Sequence, residues 1–186
     1  MPGQEFERLL VHSFNNYFDL TGIHAIAYRH YQMRYQPQLF DVLVDSRANE
    51  LYLALECKSV DTSSVPGLYF KKHFSWKNGI CQVARETDWL TQSGRNGFLV
   101  VEARRPKPYK HCAFFVPWRV VHRYFVTGKP IIPSDHITSC PSCEKRGGAY
   151  TFDDDFMEEM VKYLDSYPKN SSAVIPKKWR KHAKEV

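Results

Sequence analysis

Residues 39–45 read LFDVLVD and residues 51–58 read LYLALECK, and the fold is decided by how these two apolar runs are read. Strand alternation in the second run sets Leu51, Leu53, Leu55 and Cys57 on one face and Tyr52, Ala54, Glu56 and Lys58 on the other. A carboxylate and an ammonium thus project together from the end of an otherwise apolar strand. In the first run Asp41 stands between Phe40 and Val42, again an ion among apolar neighbours. The polar residues 45–50 read as a turn, so strands over 39–44 and 51–58 are expected to pair as a hairpin.

Buried charges are costly unless they pair or hold a metal. An isolated E-x-K is far more often a surface ion pair, and a lone Asp41 would be a strand-end residue. It is the apolar setting, with both acids on paired strands, that points to a divalent cation. Phosphodiester hydrolysis needs the transition-state charge neutralised and hydroxide generated near neutral pH. Mg²⁺ held by carboxylate oxygens serves both needs. Lys58 would orient or help deprotonate the attacking water, or stabilise the developing charge.

Upstream, residues 4–20 carry Phe6, Leu9, Leu10, Phe14, Tyr17 and Phe18 at helical spacing, an amphipathic helix. Glu7 has Leu10, Val11 and Phe14 at i+3, i+4 and i+7 and so borders the apolar face, whereas Glu5 reads as solvated. An acid favoured by the helix dipole is the plain alternative for Glu7. Residues 23–28 suggest a short strand.

Downstream, 61–68 is a loop and 77–90 reads as a helix with Ile80, Val83, Ala84, Thr87 and Leu90 on one face. Strands are expected over 97–103 and 112–116, a short helix over 118–125 and another over 153–164. Residues 130–150 are turn-rich and 167–186 are polar and basic. This order predicts an α/β fold, a mixed central sheet flanked by helices. Residues 1–129 form the core, and 130–186 a C-terminal extension appended to it or part of the same domain.

The chain has 186 residues, 43% of them hydrophobic and 25% charged, which suits one soluble domain. No apolar run reaches the length of a membrane span, and the N-terminus lacks a signal-peptide pattern. Five cysteines are an odd count, too sparse for a disulfide scaffold, so a cytoplasmic, reducing setting is expected. His136 with Cys140 and Cys143 resembles half a zinc site; His111 and His122 are distant completions, and a disulfide or free thiols are the other readings. A net charge of +6 points to a polyanionic partner, nucleic acid before membrane. Candidate DNA contacts are Lys71, Lys72, Lys77 and Arg85, with His73 among them. Arg104 and Arg105 follow with Lys107 and Lys110, and the tail 177–182 interleaves Trp179 with cations.

Taken together, the motifs resemble the PD-(D/E)XK nuclease superfamily, in its Holliday-junction-resolvase branch of archaeal Hjc and bacterial RecU type. Gly3 and Glu7 match the opening glycine and helical glutamate, Asp41 the hairpin aspartate, and Glu56-Cys57-Lys58 the E-x-K. Gln82 and Gly94 match a helical glutamine and the glycine twelve residues on. The likeness spans residues 3–127. Phe40 stands where the family commonly has proline, and Asp45, in the turn, is a second candidate for the hairpin acid.

The resemblance implies a restriction-endonuclease-like fold, a homodimer, and Mg²⁺-dependent nicking of four-way DNA junctions, with Mn²⁺ able to substitute and no small-molecule cofactor. It assigns metal binding to Asp41, Glu56 and the Cys57 carbonyl, with Glu7 acting through a water, Lys58 serving the nucleophile and Gln82 supporting the site. A restriction-type or homing endonuclease on linear duplex is the rival enzyme reading, and a non-catalytic DNA-binding module is the rival outside catalysis.

Overall fold

The computed structural model describes residues 2–31, 39–47, 51–61, 66–104 and 111–165. In chain order its elements begin with helix α1 (Pro2–Thr21) and strands β1 (Ala25–Arg29), β2 (Val42–Ser46) and β3 (Leu53–Asp61). A crossover follows, made of β4 (Gly67–Tyr69), the one-turn helix α2 (Phe70–His73), β5 (Trp76–Lys77), β6 (Ile80–Cys81) and α3 (Gln82–Ser93). Then come β7 (Asn96–Arg104), β8 (Cys112–Pro117) and α4 (Trp118–Val126). Last are β9 (Ile131–Pro133), α5 (Ser134–Thr138), β10 (Ser142–Arg146), β11 (Ala149–Tyr150) and α6 (Asp154–Asp165).

Seven strands form one mixed sheet in the order β1-β2-β3-β7-β8-β10-β11. Among the described strands only β3 and β7 pair in parallel, and the crossover between them lays α3 across one face. The expected mixed α/β sheet covered by helices is what forms. Both faces are buried, which explains why β3 is apolar on both sides. On one face, α1 delivers Phe6, Leu10, Phe14, Tyr17 and Phe18 onto Leu53, Leu55, Phe98 and Phe115, with Met157 and Met160 of α6. On the other, α3 and α4 pack Val83, Ala84, Val120 and Val121 onto Ala54, Leu99 and Val101.

Gly97 lets the helices of the second face sit close: a β-carbon there would lie 2.4 Å from Leu90 Cδ1 and 2.8 Å from Trp118 Cβ. Beyond residue 129 the chain stays in the same architecture, β10 pairing with β8 and α6 closing the α1 face. Among the described residues no helix is long and apolar enough to cross a membrane.

Several boundaries differ from the sequence expectation. The first hairpin strand begins at Val42, not residue 39, because Phe40 has φ 60°, a left-handed conformation that breaks extended pairing. Asp45 and Ser46 belong to β2 rather than to a turn. β3 runs on to Asp61, paired throughout with β7, so Glu56 and Lys58 lie in mid-strand. The helix expected from residue 77 starts at Gln82. Before it, Asn78 (φ 51°) and Gly79 (φ 72°) turn a tight hairpin of β5 and β6.

Candidate active site

Asp41 lies one residue before β2, fixed through its backbone. Its N–H donates to Leu55 O at 2.9 Å and its carbonyl accepts from His30 N at 2.8 Å. Its Oδ2 accepts from Cys57 N at 2.8 Å, so β3 itself aims the carboxylate toward Glu56. Glu56 is 3% exposed and projects from the α3 face of β3. Its Oε1 accepts from Gln82 Nε2 at 2.7 Å and pairs with Lys58 Nζ. Lys58 Nζ also lies 5.4 Å from the Phe74 ring centroid. Asp41, Glu56, Lys58 and Gln82, drawn from a strand start, a strand interior and a helix start, are therefore brought together. Cys57 contributes its amide N–H to the group.

The electrostatics follow from burial. Desolvation first, and the Glu56 charge second, push the Asp41 carboxyl up to about 7. Burial alone would lower Lys58, but the Glu56 charge and hydrogen bond outweigh it, so its pKa ends above the ordinary lysine value. Lys58 is thus protonated at neutral pH.

Glu7 is placed differently. It is half-buried, unlike the exposed Glu5, yet its Oε2 accepts from Arg29 Nε at 2.8 Å and Arg29 Nη2 at 2.6 Å. Its charge still reaches Asp41. Asp45, the second candidate for the hairpin acid, is tied to Arg95 Nη2 at 2.6 Å and Tyr28 OH at 2.8 Å.

One acid escaped the sequence reading. Glu86 is fully buried at 0% exposure, and its Oε1 accepts from Gln82 Nε2 at 2.9 Å and Phe40 N at 3.4 Å. Its Oε2 has no hydrogen-bond partner among the described residues. Burial, then the Glu56 charge, raises its pKa well above the carboxylate range. The signal was present: Glu86 is three residues after Val83 and one before Thr87, on the helix face read as apolar. The Arg29–Glu7 pair left no such trace, since the partners are 22 residues apart.

A second buried acid, Glu102, faces the α1 layer. It accepts from Ser59 Oγ and, at 2.8 Å, from Tyr150 OH, with His111 Nδ1 at 3.8 Å. These contacts satisfy it, as a structural carboxylate in a sheet requires.

Among the described residues, no three His, Cys, Asp or Glu side chains converge to enclose a metal. What Asp41 and Glu56 offer is a pair of hard oxygen donors, with the Asp41 carboxyl driven toward protonation by burial first and by the Glu56 charge second. Such a set fits a cation that keeps several waters, as Mg²⁺ does, and not a closed zinc cage. The half zinc site is not assembled. Cys140 points into the α3–α4 core and Cys143 into the α1 core, both as free thiols. His136 Nδ1 is held by Tyr124 OH at 2.8 Å.

Of the candidate DNA contacts, Lys71, Lys72 and Lys77 are exposed. Arg104 is half-buried at the end of β7. Arg85 is committed within the protein, donating to Ile80 O at 2.7 Å and Ser75 Oγ at 3.1 Å. Arg105, Lys107, Lys110 and the tail 177–182 lie outside the described residues. A cavity of about 270 Å³ at the far end of α3 is lined by Leu90, Arg95, Trp118 and His122, and by none of the site acids.

No family model matches the chain, and no curated protein matches it. Among solved structures it is similar to an Archaeoglobus fulgidus Hjc, a Holliday junction resolvase from an archaeal hyperthermophile. That match has a TM-score of 0.36 and 12% sequence identity, over 82% of this chain and 98% of that one.

Proposed function

We propose that the chain is a Mg²⁺-dependent DNA endonuclease that nicks branched substrates, four-way junctions foremost, as a homodimer. The observation that carries the chemistry is half-buried Asp41, held by the Cys57 amide, beside buried Glu56, to which Lys58 and Gln82 are hydrogen-bonded. A purely structural role is a poor account of this group, because adjacent carboxylates raise each other's cost of burial. Substrate choice rests on the motif order from Gly3 through Gly94.

In this reading Asp41 and Glu56 hold the cation, with the Cys57 carbonyl as a third oxygen and Glu7 reaching it through water. A bound divalent cation would neutralise phosphate charge and acidify water. The chain's own residues do the rest. The Cys57 N–H holds Asp41 in its orientation, and the Gln82 amide does the same for Glu56. Lys58, kept cationic, serves as an electrostatic stabiliser of the developing phosphate charge rather than as a base. Lys71, Lys72 and Lys77 supply phosphate contacts beside the site.

The test is one cleavage experiment on an immobile four-way junction and a linear duplex of the same sequences, in Mg²⁺, in Mn²⁺ and in EDTA. Paired symmetric nicks near the branch, dependent on metal and absent in Asp41→Asn and Glu56→Gln, are expected. Sequence-specific double-strand cutting of the duplex would favour a restriction-type enzyme instead. Binding without cleavage in either metal would leave a DNA-binding module.

A further inference from the structure

The crossover between Asp61 and Glu86 holds four Lys or Arg residues and no acid over 24 positions. At its centre stands the β5–β6 hairpin, a two-stranded sheet of its own that does not join the main sheet. Lys77 and Asn78 are exposed, and Ile80 is 39% exposed. Strands of two residues are not stable by themselves. The hairpin holds its shape because its base is clamped. Gln82 N donates to Ser75 O at 2.7 Å, and Ser75 N donates to Gln82 Oε1 at 3.1 Å. Arg85 grips both ends, reaching Ile80 O and Ser75 Oγ. The other end of the same Gln82 amide donates to Glu56 Oε1 at 2.7 Å and Glu86 Oε1 at 2.9 Å. One side chain therefore joins the hairpin base to a site acid.

We propose that the β5–β6 hairpin is a nucleic-acid docking arm whose engagement is passed to Glu56 through Ser75 and Gln82. Lys77 meets a backbone phosphate, and Ile80 packs on the apolar edge of a sugar or an unstacked base. The partner is DNA because the arm is cationic, acid-free and adjacent to Lys58 and Glu56. Arg85 is then a positioning residue that keeps the arm coupled to Gln82. This deepens the nuclease reading and rests on it for the role of Glu56, though not for binding.

The experiment measures DNA binding by fluorescence anisotropy in EDTA across a salt series, and amide hydrogen exchange with and without DNA. Both are run for wild type, Lys77→Ala, Ile80→Ala and Arg85→Gln, each checked for an unchanged melting transition. Lys77→Ala is expected to weaken binding and to lower the slope of log affinity against log salt by about one. Ile80→Ala should weaken binding with the slope unchanged. Arg85→Gln should keep the slope, while the slowing of exchange at residues 82–86 that DNA causes in wild type is lost. Wild-type affinity in both Lys77→Ala and Ile80→Ala overturns the docking arm. A lower slope in Arg85→Gln, with the exchange response intact, makes Arg85 a phosphate contact and overturns the coupling. A wild type that shows all these binding effects yet cleaves no DNA in Mg²⁺ or Mn²⁺ sinks the nuclease reading and leaves the arm standing.

Discussion

At Asp41 burial and a like charge act in the same direction, and the consequence can be measured without any substrate. Its folded pKa, about 7, lies above its ordinary value of 3.8. A raised folded pKa means the protonated form is favoured on folding. The stability it contributes is full below the ordinary value and lost as pH rises toward 7. In EDTA, calorimetry should show the melting temperature falling from about pH 4 to 7, with a slope on the order of 1.4 kcal/mol per pH unit at most. Asp41→Asn should flatten that fall, and Mg²⁺ should restore stability to the wild type near pH 7. An unchanged profile in Asp41→Asn would place the sensitivity elsewhere. Lys58→Ala should lose roughly a hundredfold in cleavage rate, about 3 kcal/mol of transition-state stabilisation, with DNA affinity little changed. Glu86 separates orientation from charge. Glu86→Gln keeps the acceptor for Gln82 and Phe40, and should stay within a few-fold of wild type in rate and melt close to it. Glu86→Ala leaves two buried donors unpaired, at about 1–3 kcal/mol each, and should lower both melting temperature and rate. Equal losses in the two variants would mean that the carboxyl itself is needed.

Elements show where sequence reading succeeds and where it stops. Alternation over 51–58 assigns both faces of β3 because each face meets its own helical layer, Leu53, Leu55 and Cys57 on one side and Ala54 on the other. Helical spacing over 77–90 is right from Gln82 onward and wrong for 77–81. Ile80 falls in helical register with Val83 and Thr87, and apolar spacing outweighed the Asn78-Gly79 pair that announces a two-residue turn. Glu86 carries no apolar signal of its own, so hydrophobic spacing along its helix face does not reveal it. The Glu7–Arg29 pair could not be read at all, since it exists only after β1 folds back along α1. Phe40 is the instructive departure. The motif that the sequence resembles commonly has proline there, but proline is locked near φ −65° and cannot take the 60° seen at Phe40. The buried ring, 5.1 Å from Trp118 and 5.4 Å from Trp89 between centroids, holds the residue there. Phe40→Ala should cost about 3–5 kcal/mol through the lost ring. Phe40→Pro should cost more, because it also forbids the backbone that sets Asp41. Chemical denaturation of the two variants decides this: a proline variant as stable as the alanine variant would show that the site tolerates another path into β2.

Over the whole molecule the question is where the positive charge lies. Residues 177–186 hold five of the 26 basic residues and one of the 20 acidic ones, so their removal leaves a formal charge of +2 out of +6. The described core, by contrast, spends several of its cations internally: Arg29 on Glu7, Arg95 on Asp45 and Lys58 on Glu56. Long-range attraction of a polyanion follows from net charge, whereas the proposed cleavage would follow from groups fixed around Asp41 and Glu56. The two should therefore separate. A chain ending at Pro176 should bind both junction and duplex DNA more weakly, and its binding should fall less steeply with salt, by about one unit of slope for each phosphate contact removed. Its single-turnover cleavage rate at saturating protein should match the full chain, because no tail residue is needed at the acids. The measurement is a salt titration of binding in EDTA beside a saturating cleavage assay in Mg²⁺. An unchanged slope would assign the tail to protein contacts or solubility. A lost rate at saturation would mean that the tail reaches the site, and that cation placement and chemistry are not separable in this chain.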